Sequence, residues 1–175
     1  MSDTNTTNKT WRPQTNLVRG GTMRSQFGET CEAIYLTSGF VYDSAEQAKA
    51  SFMGEDDHFI YSRYANPSVA MFEERMKLME GTKFCQGTAS GMGAVFAALA
   101  CQLKAGDHLV ASRALFGSCD YVCTVLMPQY GVRTTMVDGT DLDQWEKALS
   151  QPTDMVFMET PSNPTLEIID LPAVA

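Results

Sequence analysis

Between residues 83 and 159 the chain alternates short strand-like runs with longer helix-like runs, and this alternation restricts the fold more than any other feature. Residues 83–86 predict a short strand and 91–103 an apolar helix; 108–111 predict a strand and 118–127 a helix. Residues 132–137 read as a strand, Asp141 caps a helix running to Leu149, and 155–159 form a further strand. Strands alternating with helices pair in parallel, because each helix carries the chain back to the start of the next strand and covers the sheet on the way. The expected class is α/β, with a parallel-rich sheet flanked by helices. Apolar residues make up 44% of the 175, enough for a sizeable core.

The earlier residues behave differently. Residues 1–40 lack a steady period, are punctuated by Gly20-Gly21 and Ser38-Gly39, and begin with a polar run, Ser2 to Asn8; they read as an extended N-terminal arm. Ser44-Ala45-Glu46-Gln47 has the form of a capping box and opens a short helix to Phe52. Asn66 as N-cap and Pro67 in the first turn start another helix, with Val69, Phe72, Met76 and Met79 at helical spacing and Gly81 as the stop. Asp170-Leu171-Pro172 looks like one more helix start with only three residues after it. So short a helix is not self-supporting, and the chain is expected to be truncated, the N-terminal part of a longer protein.

Several function classes are disfavoured. The net charge is −8 and no two Lys or Arg are adjacent, so a nucleic-acid or anionic-membrane partner is not expected. No apolar stretch reaches the length of a membrane span, and the N-terminus lacks a secretory core. Five cysteines, none in a C-x-x-C pair, suit reduced thiols in a cytoplasm. Only His58 and His108 accompany them, without metal-ligand spacing, so no metal site is expected.

Four segments could carry chemistry. Gly87-Thr88-Ala89-Ser90-Gly91-Met92-Gly93 stands before the apolar helix, where free N–H groups and the positive end of the helix dipole attract phosphate. It is neither a P-loop nor a dinucleotide fingerprint. In Tyr61-Ser62-Arg63-Tyr64-Ala65-Asn66-Pro67, Arg63 offers a permanent, fork-shaped cation and Tyr61 a hydroxyl on the same side of an extended segment. Glu159-Thr160-Pro161-Ser162-Asn163-Pro164 follows a strand, where ligands of open α/β sheets bind; Asn163 can donate and accept there, and either X-Pro bond is open to the cis form. Phe116, in Leu115-Phe116-Gly117-Ser118, can stack on a flat ring. Each segment taken alone also reads as an ordinary turn, surface cation or core aromatic. Together they suit a planar aromatic phosphate such as pyridoxal phosphate.

In this order and combination the segments, with Val18-Arg19-Gly20-Gly21, are highly specific. From Val18 onward the chain resembles the cystathionine γ-synthase-like, or Cys/Met metabolism, family of pyridoxal-phosphate (PLP) enzymes. The resemblance implies the PLP-dependent transferase fold type I, with residues 1–57 as arm and short helix and 58–175 as the N-terminal part of the large PLP-binding domain. It implies that Gly91 and Met92 hold the cofactor phosphate by backbone N–H groups and that Phe116 stacks on its ring, where many relatives have Tyr. Asn163 would lie near the ring's oxygen or the substrate, with Glu159 supporting that loop. Tyr61 and Arg63 would reach the cofactor phosphate of a neighbouring subunit in a homotetramer built as a dimer of dimers. No catalytic residue is expected in this chain, since the family's Schiff-base lysine falls beyond Ala175. The implied activity is γ-replacement on O-succinylhomoserine with sulfide, giving homocysteine and succinate for methionine biosynthesis. O-acetylhomoserine sulfhydrylases, cystathionine γ-synthases and methionine γ-lyases share most of the motifs and remain alternatives, as does a non-catalytic piece that only binds partner chains. Arg113 is a candidate for meeting a succinyl carboxylate, with Asp120 close enough in sequence to weaken its field.

Overall fold

The computed structural model describes residues 11–175. The polar run at the N-terminus and Lys9 therefore lie outside the described residues. The chain forms two compact units, one ending at Gly87 and one running from Thr88 to Ala175.

The first unit holds helices α1 (Pro13–Arg19), α2 (Ala45–Met53) and α3 (Pro67–Glu80). The cap signals work as read. The Ser44 side chain accepts the Gln47 N–H, and Gly54 ends α2 at φ 71°. The Asn66 side chain accepts the Ser68 N–H at 2.8 Å, while its amide donates to the Tyr35 carbonyl and to Ser62 Oγ, each at 2.9 Å. Gly81, at φ 65°, ends α3. The sequence reading passes over α1. Seven residues do not make a stable helix alone; α1 stands because it packs on α3, and a Cβ on the buried Gly20 would lie 2.8 Å from Leu78 Cδ1.

One expected element is absent. Residues 83–86 have no strand neighbour among the described residues. A strand exists only as half of a ladder, and here the local polar groups are used otherwise. The Gly87 N–H and the Gln86 amide both donate to the Glu73 carboxylate, at 2.6 and 3.1 Å.

In the second unit, strands β1 (His108–Ser112), β2 (Arg133–Val137) and β3 (Met155–Phe157) form a parallel sheet in the order β2-β1-β3. Helix α4 (Gly91–Ala100) precedes β1, and α7 (Leu142–Leu149) joins β2 to β3. Between β1 and β2 the chain runs through α5 (Gly117–Tyr121), a π-helical turn (Val122–Leu126) and α6 (Met127–Gln129); α8 (Leu171–Val174) follows β3. Every residue of central β1 is buried, and successive side chains point to opposite faces. Leu109 and Ala111 face Leu99, Cys119, Cys123 and Met127 from α4 and the π-containing helix. Val110 faces Val137, Trp145, Ala148 and Ile169. Each such fully buried aliphatic or aromatic side chain contributes about 1.5–3 kcal/mol, so the sheet is clamped from both sides. His108 is also buried; its ring bonds Thr135 Oγ1 at 2.8 Å and the Pro152 carbonyl at 3.2 Å. It is a satisfied core residue at the entry to β1.

Candidate functional site

Because the strands are parallel, their carboxyl ends share one edge, and the loops after β1 and β3 leave side by side from paired strands. The helix before a strand runs the opposite way, which brings the N-terminus of α4 to that same edge. Its side chains confirm the placement: Cys119 Sγ of α5 lies 3.9 Å from Met92 Sδ of α4.

Ser90 caps α4, its Oγ accepting the Gly93 N–H at 3.0 Å, and Thr88 Oγ1 donates to the Ser90 carbonyl at 2.8 Å. The N–H groups of Gly91 and Met92 have no acceptor among the described residues, as the first turn of a helix dictates. A Cβ at Gly91 would meet nothing within 4 Å, so the approach to these donors is open.

Phe116 is the residue just before α5 and is 44% exposed. Its N–H donates to Glu159 Oε2 at 2.7 Å, and its carbonyl receives the Cys119 and Asp120 N–H groups. Strand β3 ends at Phe157, two residues short of the run expected from sequence, so Glu159 lies past the ladder and reaches across to the loop after β1. The expectation tied Glu159 to the Asn163 loop; the structure shows its carboxylate holding the Phe116 loop.

That second loop is built around Ser162, which is fully buried. Ser162 Oγ lies 2.7 Å from Thr165 Oγ1 and accepts the Glu167 N–H at 2.9 Å. Thr160-Pro161 and Asn163-Pro164 are both cis. Asn163 is exposed, and its side-chain amide bonds nothing among the described residues. Burial, with the Glu159 carboxylate adding to it, pushes the Cys119 thiol up. Cys123, deeper in the core, is pushed up to about 12 by burial first and then by Cys119 and Asp120. Both are packing thiols; the composition suggests that most of the five cysteines pack in the core, but Cys31 and Cys101 are exposed and Cys85 is half-buried.

The structure thus brings Gly91, Met92, Phe116, Glu159 and Asn163 to one edge of one unit. Tyr61 and Arg63 belong to the first unit. There Tyr61 bridges Gly39, the Ser62 N–H donates to the Ser38 carbonyl at 2.9 Å, and Ser62 Oγ donates to the Thr37 carbonyl. The Arg63 guanidinium sits 5.4 Å from the Tyr61 ring centre and 5.2 Å from that of Tyr64, and among the described residues it has no carboxylate partner. Sequence reasoning missed Tyr64 as the second ring; its signal was an aromatic on either side of the cation.

A parallel sheet with helices on both faces and this loop-bearing carboxyl edge is the architecture of PLP-dependent transferases of fold type I. A protein of Campylobacter jejuni described as an O-acetylhomoserine (thiol)-lyase, carrying N'-pyridoxyl-lysine-5'-monophosphate, superposes with a TM-score of 0.85 at 29% identity, over 91% of this chain and 39% of that one. Residues 14–175 match the model of the Cys/Met metabolism PLP-dependent enzymes, and the chain belongs to that family, whose cofactor is pyridoxal phosphate. It is 59% identical over 157 residues to an O-succinylhomoserine sulfhydrylase of Mycobacterium tuberculosis. It is 38% identical over 160 residues to an L-methionine gamma-lyase of Porphyromonas gingivalis. These matches cover 90% and 91% of the chain but 39% and 40% of the relatives, so the chain spans about two fifths of the length of the curated relatives it matches.

Proposed function

We propose that the complete protein carries out γ-replacement on O-succinylhomoserine with sulfide, forming homocysteine and succinate. The observation that carries this reading is the 59% identity to an O-succinylhomoserine sulfhydrylase. When bound, PLP supplies the electron sink for the carbanion chemistry.

The residues at the carboxyl edge fit that cofactor. The paired free N–H groups of Gly91 and Met92, at the positive end of α4, bind its phosphate. The exposed face of Phe116 stacks on its ring, oriented by the bond from its N–H to Glu159. Asn163, presented on a loop braced by Ser162, bonds the ring's oxygen or the substrate. Tyr61 and Arg63 serve the phosphate of a neighbouring subunit's cofactor in a homotetramer, with the two flanking rings fixing the guanidinium's direction.

The Schiff-base lysine lies outside these residues. Lys104 precedes β1, and Lys147 sits in the last turn of α7, which runs against the strands, so both belong to the opposite edge of the sheet. Among the described residues no helix is long and apolar enough to cross a membrane.

The test is to supply the complete protein with PLP, O-succinylhomoserine and sulfide and to measure homocysteine. Formation of homocysteine and succinate in equal amounts is expected, and no homocysteine overturns the reading. The second reading, methionine γ-lyase, is favoured by the relative at 38% identity; release of a volatile thiol and ammonia from methionine in the same preparation would establish it instead.

A further inference from the structure

We propose that Arg113 binds the distal carboxylate of the succinyl group and thereby sets the preference for the succinyl over the acetyl ester; this rests on the sulfhydrylase reading above. Arg113 is the first residue past β1. Its N–H donates to the Val137 carbonyl at 2.8 Å, which extends the β1–β2 ladder and anchors the residue at the carboxyl edge. Three residues later the same loop presents Phe116.

The guanidinium is held but not neutralised. Nη2 donates to the Met136 carbonyl at 3.2 Å and Nη1 to Gln144 Oε1 at 3.4 Å, both uncharged acceptors and the second a long contact. Among the described residues no carboxylate lies within ion-pair distance of it. Asp120, its nearest acid in sequence on that loop and helix, faces the Thr124 hydroxyl at 3.5 Å and does not pair with it. An arginine has five N–H donors in a planar fork, and most of these remain available for a carboxylate.

Arg113 also lines a concavity of about 210 Å³ with Ala114, Asp138, Gly139, Thr165 and Glu167. This is the volume of about seven waters, ample for a succinyl group. Its walls come from the three loops beyond β1, β2 and β3. Two of these loops also carry Phe116 and Asn163, so the concavity and the proposed ring position share the carboxyl edge of the sheet. An acetyl ester would leave it to water.

Two acids share the concavity, and they decide how it reads charge. Asp138 Oδ1 is engaged by the Thr140 N–H at 2.9 Å and the Thr140 hydroxyl at 2.8 Å. These bonds, with Arg113 contributing less, hold its carboxyl below the usual range. Glu167 stands on the wall with its N–H fixed by Ser162 Oγ. With one cation against two anions, no long-range field draws an acid in. Recognition depends on the direct, bidentate contact that a guanidinium makes with a carboxylate. The two residues therefore act in opposite directions, Arg113 for the succinyl tail and Glu167 against it.

The experiment uses the complete PLP-loaded enzyme. Arg113→Gln, Arg113→Lys and Glu167→Gln are compared with the parent for kcat/KM on O-succinyl- and O-acetylhomoserine, and for inhibition by succinate against acetate. Arg113→Gln is expected to lower the succinyl-to-acetyl ratio about tenfold or more, through KM rather than kcat, and to weaken succinate inhibition in step. Arg113→Lys falls between, keeping the charge but not the fork. Glu167→Gln raises the ratio by about two- to threefold. Equal losses on both esters with succinate inhibition unchanged in Arg113→Gln overturn the proposal. If that variant does not fold, as judged by its bound-cofactor absorbance, a ratio in Glu167→Gln equal to the parent's overturns it. A parent enzyme that turns over neither ester sinks the sulfhydrylase reading instead, while the succinate comparison still decides the role of Arg113.

Discussion

Replacing Trp145 by Phe tests how the sheet is locked to the helix between β2 and β3. Trp145 is 2% exposed and packs against Val110, Val137, Ala148 and Ile169. Its Nε1 donates to the Gly139 carbonyl at 3.0 Å, and Gly139 is itself buried in the turn after β2. Phenylalanine removes the donor and leaves that carbonyl without a partner, a cost of about 1–2 kcal/mol. It also removes the second ring's carbons from a closed core, at about 0.8 kcal/mol for each methylene-sized group and so ~1.5 kcal/mol in all. The expected loss is about 3 kcal/mol, read from the shift in urea midpoint followed by far-UV circular dichroism at constant slope. Val156→Ala, on a side chain 37% exposed, serves as the control and should cost under about 1 kcal/mol. A loss below about 1 kcal/mol for Trp145→Phe would refute the reasoning, because it would mean that neither the hydrogen bond nor the closed packing exists.

Three further outcomes are expected. Ellman's reagent at pH 8 should label the exposed Cys31 and Cys101 in the native chain and leave Cys119 and Cys123 until denaturant is added; with a thiol at about 12, only ~1 in 10,000 Cys123 groups is thiolate at that pH, and native labelling of Cys123 would contradict its burial. The Arg75 guanidinium holds Glu32 below its ordinary 4.5, and the Gln144 amide and N–H hold Asp141 below its ordinary 3.8. The folded state therefore binds fewer protons, and the stability these groups lend is full above the ordinary values and drains as pH falls through the lowered ones. Glu32→Gln should accordingly flatten the acid limb of urea midpoints measured from pH 7 to 3, and an unaltered limb would count against the Arg75 pairing. In the complete protein, Arg63→Ala should loosen PLP binding, measured by cofactor titration, while leaving the unfolding midpoint near the parent's; unchanged cofactor affinity defeats its proposed role.

Local rules were enough for elements whose signals are local. Asn66-Pro67 and Gly81 bound α3 because capping and left-handed backbone are properties of one or two residues. Asp141 likewise caps α7, its carboxylate accepting the Asp143 and Gln144 N–H groups. The run at 108–111 marked a strand, which the structure extends to Ser112 and buries at every position. Helix α1 was not legible, because its stability comes from α3, more than forty residues away in sequence. Residues 83–86 misled for the converse reason: strand-like composition describes what a segment can pair with, not whether a neighbour is present. At the candidate site the residue types were readable but their connections were not. The bond from the Phe116 N–H to Glu159 spans 43 positions, and no spacing in the chain announces it. The two proline bonds of the Glu159–Pro164 loop were left open from sequence, and the structure settles both as cis.

The π-helical turn has a consequence for how this chain tolerates change. The Met127 N–H reaches back to the Val122 carbonyl, one residue further than in an α-helix, so the segment on either side belongs to a different angular phase. Ahead of the turn Cys119, and at its start Val122 and Cys123, face the sheet; after it Met127, at 1% exposure, takes the seat that regular winding would assign to Leu126. The helix is in effect two half-helices with a one-residue gear change between them. One half steers the edge that carries Phe116, and the other seats the chain's entry into β2. Deleting one residue within the turn would restore an unbroken α-helix with Met127 still in its seat, whereas winding the same residues regularly without the deletion would rotate one half by about 100° against the other. In that regular winding either Met127 or Cys119 would leave the sheet, so the wide turn is what lets the extra residue be carried with both ends in register at once.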